Sequence, residues 1–225
     1  RQLCIVGNEA HLSALKPDAG LWEYREREEV HTFSAAMCWA AQHRLGKIGR
    51  RVGAPDEADK WQTRARVLRQ KVLKRGTTSE GWLSGVLDRD MLDASSLVLP
   101  EIGLLRSDDR RFHATLDVVG KRLMKNGFVM RYTEADDFGA PSNAFLLCTF
   151  WYIDALASVG RRDEALELFI NLLGRRNHLG LLAEDIDPFT GEMWGNFPQT
   201  YSQVGLILSA MRLSRSWEEG LWHAL

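Results

Sequence analysis

The sequence lacks most of the features that mark a specialised class. Its three cysteines, Cys4, Cys38 and Cys148, cannot all pair with one another, and two of them lie inside the apolar strings AMCWAA and FLLCTFWY. They read as buried free thiols of a reducing compartment, so a cytoplasmic location is expected. A small disulfide scaffold is excluded, because 225 residues are enough to bury a core without staples. Neither sign of charge dominates: 29 Lys plus Arg against 30 Asp plus Glu leave a formal charge of −1. No chain-wide basic field exists to hold nucleic acid or an anionic membrane, and neither is expected as a partner. Nor does any apolar run approach the roughly 20 residues needed to cross a bilayer. No secretory signal is visible in this stretch, and because the chain opens on Arg1 rather than Met it reads as a segment of something longer.

Several kinds of chemistry are missing as well. No Gly-rich phosphate loop and no Gly-x-Ser-x-Gly nucleophile motif occur. Glu28 and His31 form a single Glu-x-x-His step where a di-metal bundle needs two, and His43, His113, His178 and His223 stand alone. Asp136-Asp137 lacks the further Asp that magnesium-dependent helical enzymes use. Neither a metal nor a cofactor is expected.

What is present is helical periodicity. Trp61, Ala65, Leu68 and Val72 fall on one face, as do Phe112, Leu116, Val119 and Leu123. Further helices are predicted at about Val30 to Leu45, Ala94 to Leu105, Asn143 to Val159, Asp163 to Leu173 and Tyr201 to Leu213. The stretches Trp82 to Leu87 and Phe128 to Tyr132 read as extended loop segments rather than sheet. The segment Asn143 to Val159 is apolar nearly all round and must be covered on every side, whereas Pro55 to Arg75 carries charge on most of its circumference. That contrast predicts two concentric layers of helices in one domain. Trp39, Trp61 and Trp151 read as core.

Two polar, aromatic-rich segments interrupt this rhythm, Pro17 to Arg27 (PDAGLWEYRER) and Leu181 to Tyr201 (LLAEDIDPFTGEMWGNFPQTY). Loops this long in a helical domain usually line a site. Each carries a Glu behind a short apolar run, Glu23 after Leu21-Trp22 and Glu184 after Leu181-Leu182-Ala183. A carboxyl group held on apolar surface keeps its proton more readily than one among polar neighbours. Two such unlike carboxyls are what glycoside hydrolysis needs, one to protonate the leaving oxygen and one to activate water or attack.

At these loops the sequence resembles glycoside hydrolase family 15, the glucoamylases, glucodextranases and related bacterial trehalases. The resemblance is carried by GLWEYR (20–25), HTFSAAMCWAA (31–41), the block 128–166 that begins FVMRYTEADDFG, and LGLLAEDIDPFTGEMWGNFPQTYSQVGLI (179–207). It implies an all-α (α/α)6 toroid of helical hairpins that cleaves terminal α-glucosidic bonds with inversion, on an oligosaccharide or disaccharide. By the same resemblance Glu23 is the general acid, Glu184 the general base, Trp22 a sugar platform, Arg131 a donor to glucose hydroxyls and Tyr201 a further aromatic platform. Inversion requires the two carboxyl groups about 6.5–9.5 Å apart. Ser142-Asn143 replaces a Glu-Gly pair common in the family. The family's first-half motif, an aromatic stretch followed by Arg-Asp, has no counterpart here. Residues 1–225 therefore look like the second half of the toroid, whose open face needs an upstream half or another chain. The rival readings are a non-catalytic helical scaffold and a sugar-binding relative without turnover.

Overall fold

Apolar spacing decides where the chain is helical. The computed structural model describes residues 2–214, and His223 lies outside them. Among the described residues there are seven α-helices: α1 (Gln2–Ser13), α2 (Thr32–Arg51), α3 (Pro55–Gly76), α4 (Arg110–Arg122), α5 (Leu146–Ser158), α6 (Arg162–Leu173) and α7 (Thr200–Ser214). A short 3-10 helix covers Ala94–Val98.

α3 shows how sequence becomes element. Pro55 occupies its first turn with Asp56 and Glu57, Lys74 and Arg75 close its last turn, and Ala58, Trp61, Ala65, Leu68 and Val72 form the buried stripe. The charges at each end complement the helix dipole, and the stripe lies against α2. α4 is capped by Asp109, whose carboxylate accepts the Arg111 N–H at 3.0 Å. Bonds from the Arg111 side chain hold that carboxyl down at about 2.

The all-round apolar segment lies where its composition requires. α5 packs against α6, α7, α4 and the 3-10 helix, and Leu146, Cys148, Phe150, Ile153 and Leu156 are buried. Trp39 and Trp61 are buried, and Trp151 packs on the same core. The three cysteines are free thiols, but only Cys148 is buried; Cys4 and Cys38 are half-buried, correcting that expectation. No helix among the described residues is long and apolar enough to cross a membrane.

Two further expectations are corrected, and one helix is added. Ala94 to Leu105 is not an α-helix: after five residues of 3-10 structure it runs through turns. Leu99 is still in the helical region, but Pro100 after it removes a backbone donor and Gly103 follows at φ +87°. Phe128–Val129 is a strand rather than loop, paired antiparallel with Met124–Lys125 across a two-residue Asn126-Gly127 turn at positive φ. Finally, α1 was not foreseen, because its apolar Leu3, Ile5, Val6 and Leu12 are exposed and Gly7 is its buried residue. With these, the strands are β1 (Met124–Lys125), β2 (Phe128–Val129), β3 (Ala144–Phe145), β4 (Asp185–Ile186) and β5 (Met193–Trp194). β3, β4 and β5 form a small antiparallel sheet with Phe145 opposite Asp185 and Asp185 opposite Trp194. That sheet fastens the long loop before α7 to the start of α5.

Candidate active site

The first of the two loops is closed at its base by backbone bonds between Asp18 and Glu29, at 2.9 and 3.1 Å. At its tip a turn runs from Gly20 to Glu23, whose N–H donates to the Gly20 carbonyl at 3.3 Å. Glu23 has φ +57°, a left-handed conformation uncommon for a residue with a long side chain and costing on the order of 1 kcal/mol or more. The turn sends neighbouring side chains in opposite directions. Trp22 points inward, with its ring centroid 6.0 Å from those of Tyr132 and Phe145 and 6.2 Å from that of Trp151. Glu23 points outward and is exposed. The apolar enclosure expected around Glu23 thus falls to Trp22 instead.

Glu23 lines a cleft of about 300 Å³ together with Trp22, Arg131, Tyr132, Asp136 and Asp137. The Arg131 guanidinium lies 5.9 Å from the Trp22 ring and 5.7 Å from the Tyr132 ring. Its Nε is buried with no hydrogen-bond partner among the described residues. Asp136 accepts the Tyr132 hydroxyl at 2.5 Å, and Asp137 accepts the Arg25 and Glu26 N–H groups at 2.7 and 3.2 Å. Asp137 thereby clips its loop to the one bearing Glu23, while Asp136 braces its own loop. Burial, with the bond to Asp136 and the nearby acids, raises the Tyr132 hydroxyl above its ordinary range.

Glu184 is not part of that cleft's lining. It stands half-buried just before β4 and accepts three hydrogen bonds, from Asn196 N (3.1 Å), Asn196 Nδ2 (2.9 Å) and Gln199 Nε2 (3.2 Å). All three partners donate, which is the set a carboxylate anion accepts. Gly195 stands so close that a Cβ there would meet Glu184 Oε2 at 2.8 Å. Two further bonds fix this segment: Leu146 N–H donates to the Glu184 carbonyl at 3.0 Å, and the buried Ser202 hydroxyl donates to the Ala183 carbonyl at 2.7 Å.

The two loops meet at Phe145. Its ring touches Trp22, the neighbour of Glu23, and its backbone pairs with Asp185, the neighbour of Glu184. Tyr201 is exposed at the start of α7; its N–H is 3.4 Å from the Gln199 side-chain oxygen, and its ring does not line the cleft.

Two acids escaped the sequence reading. Asp185 has one buried carboxyl oxygen without a partner, and burial, helped by Glu184 and opposed by Arg131, raises it to about 6. Its signal was a second carboxylate directly after Glu184 in an otherwise apolar string. Asp93 is buried and accepts from Trp22 Nε1 at 2.8 Å and from Ser95 N at 2.7 Å. Burial raises it against those bonds. Its signal was an Asp-x-Ser cap ahead of the 3-10 helix. Among the described residues no group of three His, Cys, Asp or Glu is arranged to hold a metal ion. Larger clefts lie between Lys74 and Asp90 (about 430 Å³) and between α1 and α3 (about 350 Å³), but neither contains Glu23 or Glu184.

Comparison with known proteins follows from this geometry. The family model described as "Glycosyl hydrolases family 15" matches residues 14–211. A trehalase of Mycolicibacterium smegmatis is 35% identical over 91% of this chain and 31% of its own length, and a trehalase of Thermoplasma volcanium is 32% identical over 89% and 32%. The chain thus spans about a third of the length of the curated relatives it matches. Among solved structures, a bacterial glucoamylase complexed with acarbose is 16% identical, with a TM-score of 0.72 over 86% of this chain and 34% of its own. At that identity the likeness carries the fold alone, and it makes these helical hairpins part of an (α/α)6 toroid.

Proposed function

The chain belongs to glycosyl hydrolases family 15, and from that membership we propose that it carries the acid–base pair of an inverting, exo-acting α-glucoside hydrolase. Glu23 is the general acid and Glu184 the general base. The relatives' name, trehalase, makes trehalose the first substrate. Residues 1–225 form the C-terminal portion of one catalytic domain working in the cytoplasm. The observation that carries this reading is the junction at Phe145, which ties the Trp22-Glu23 turn to the Glu184-Asp185 segment although the acids are 161 positions apart (184 − 23).

In the proposed reaction a water between Glu184 and the anomeric carbon gives its proton to Glu184 and attacks that carbon. The glycosidic oxygen leaves on the opposite face, taking the proton of Glu23. The three donors around Glu184 hold the base in one orientation while leaving it half open. Arg131, with a buried nitrogen unsatisfied, supplies donors for sugar hydroxyls, and Trp22 offers an aromatic surface. Tyr201, exposed beyond Gln199, serves as an outer aromatic contact. The rest of the ring comes from an upstream half or another chain; the exposed Leu3, Ile5 and Val6 of α1 and Val204 and Ile207 of α7 are surface for it.

The test is hydrolysis by the full chain. Glu184→Gln is expected to abolish nearly all glucose release while calorimetric binding of trehalose persists. Glu23→Gln is expected to lose trehalose hydrolysis but to keep much of its rate on α-glucosyl fluoride, whose leaving group needs little protonation. Anomer-resolved NMR of the fluoride reaction should show β-glucose first. Wild-type turnover in Glu184→Gln, equal loss on both substrates in Glu23→Gln, or α-glucose as the first product would each overturn its part.

A further inference from the structure

We propose that Asp93 is a positioning residue for the Glu23 turn, holding the acid in place through the indole of Trp22. This rests on Glu23 being the general acid. The connection is direct: Trp22 Nε1 donates to one Asp93 oxygen at 2.8 Å across 71 positions of sequence. The other oxygen is taken by Ser95 N at 2.7 Å, so the carboxylate is clamped from both sides. Gly85 packs directly on this side chain, and a Cβ there would stand only 2.5 Å from Asp93 Cβ, so a larger residue at 85 would displace it.

The same residue is fastened to the far wall of the cleft. Asp93 pairs with Tyr132 in an antiparallel bridge, and Ala94 N donates to the Arg131 carbonyl at 2.8 Å. The Asp93 side chain therefore ties the turn bearing Glu23 to the cap of the 3-10 helix, while the backbone of Asp93 and Ala94 ties both to the segment bearing Arg131. The turn's bond from Glu23 to Gly20 is long, at 3.3 Å, beside a Tyr24 N–H bond to the Ala19 carbonyl at 2.9 Å, and the Trp22 indole and the buried Tyr24 ring anchor it into the core from either side of Glu23. An acid must stand within hydrogen-bond reach of the leaving oxygen, and a misplacement of about 1 Å costs on the order of 100-fold in rate.

Asp93→Asn tests this without opening a cavity. An amide turns its NH2 toward one of the two donors, so the bond to Trp22 or to Ser95 is lost. In the full chain, kcat on trehalose is expected to fall about 10- to 100-fold with KM moving less than about threefold, while α-glucosyl fluoride is affected far less. Trp22→Phe removes the donor, and the double variant is expected to be no slower than Trp22→Phe alone. Wild-type kcat in Asp93→Asn, equal loss on both substrates, or losses that multiply in the double variant would overturn the proposal. The indole 15N spectrum reads the bond without turnover, with the Trp22 signal identified by its absence in Trp22→Phe. That signal should exchange slowly in the wild type and shift in Asp93→Asn; rapid exchange, or no shift, overturns the coupling. If Asp93→Asn does not fold, the wild-type exchange rate and the substrate selectivity of Trp22→Phe decide. If the wild type cleaves neither substrate, the acid assignment fails, and the indole signal still judges whether Asp93 holds Trp22.

Discussion

Asp185 lies within electrostatic reach of both Arg131 and Glu184, and burial raises it to about 6. A carboxyl that holds its proton more tightly folded than unfolded stabilises the fold while protonated. That contribution is full below about pH 4, the unfolded value, and is lost as pH rises through about 6. Asp185→Asn cannot ionise, so its melting temperature relative to wild type is expected to rise between pH 4 and pH 7. The gain is about 1 kcal/mol after allowing for the residue's partial contact with solvent. A difference that stays constant across those pH values would contradict this. At the residue scale Glu23 and Glu184 were singled out as candidates by the family-like strings around them, the short apolar run before each being the weaker signal. Asp93 and Asp185 were not, because their importance comes from what lies near them, an indole from 71 positions earlier and a guanidinium from 54 positions earlier (185 − 131).

Among the elements, α5 and α7 show how tightly the helices that carry the site are fitted. Gly205 of α7 faces Phe150 of α5, and a Cβ there would lie 2.6 Å from the ring. Gly205→Ala must push the helices apart or force Phe150 off its rotamer, at a cost of about 1–3 kcal/mol. For a chain of this size that lowers the melting temperature by about 2–4 °C per kcal/mol. Because Ser202 of the same helix bonds Ala183, next to Glu184, the same variant is expected to lower trehalose hydrolysis as well. An unchanged melting curve would show that the helices yield freely. Long helices with a regular stripe, such as α3, were readable from spacing alone. Ala94 to Leu105 was misread because apolar periodicity outweighed Pro100 and Gly103, and β2 because the two-residue turn at Asn126-Gly127 was passed over.

The molecule as a whole keeps apolar side chains in water on several helices: Leu3, Ile5 and Val6 on α1, Leu166 and Ile170 on α6, Val204 and Ile207 on α7. The 225-residue chain alone is therefore expected to self-associate in sedimentation experiments. Val204→Lys with Ile207→Lys is expected to reduce that association without unfolding the chain. A wild-type chain that stays monomeric at high concentration would show these faces to be tolerated in water.

By itself the sequence determined that the chain is helical, that α5 lies at its centre, and that two acid-bearing loops stand out from the rest, since periodicity and apolar runs are local properties written along the chain. Only the tertiary structure decided that Trp22 turns inward while Glu23 turns out, that Phe145 joins the two loops, and that Asp93 clasps the indole. Those outcomes depend on contacts between residues tens of positions apart, made when the core closes and each buried polar group must find a partner.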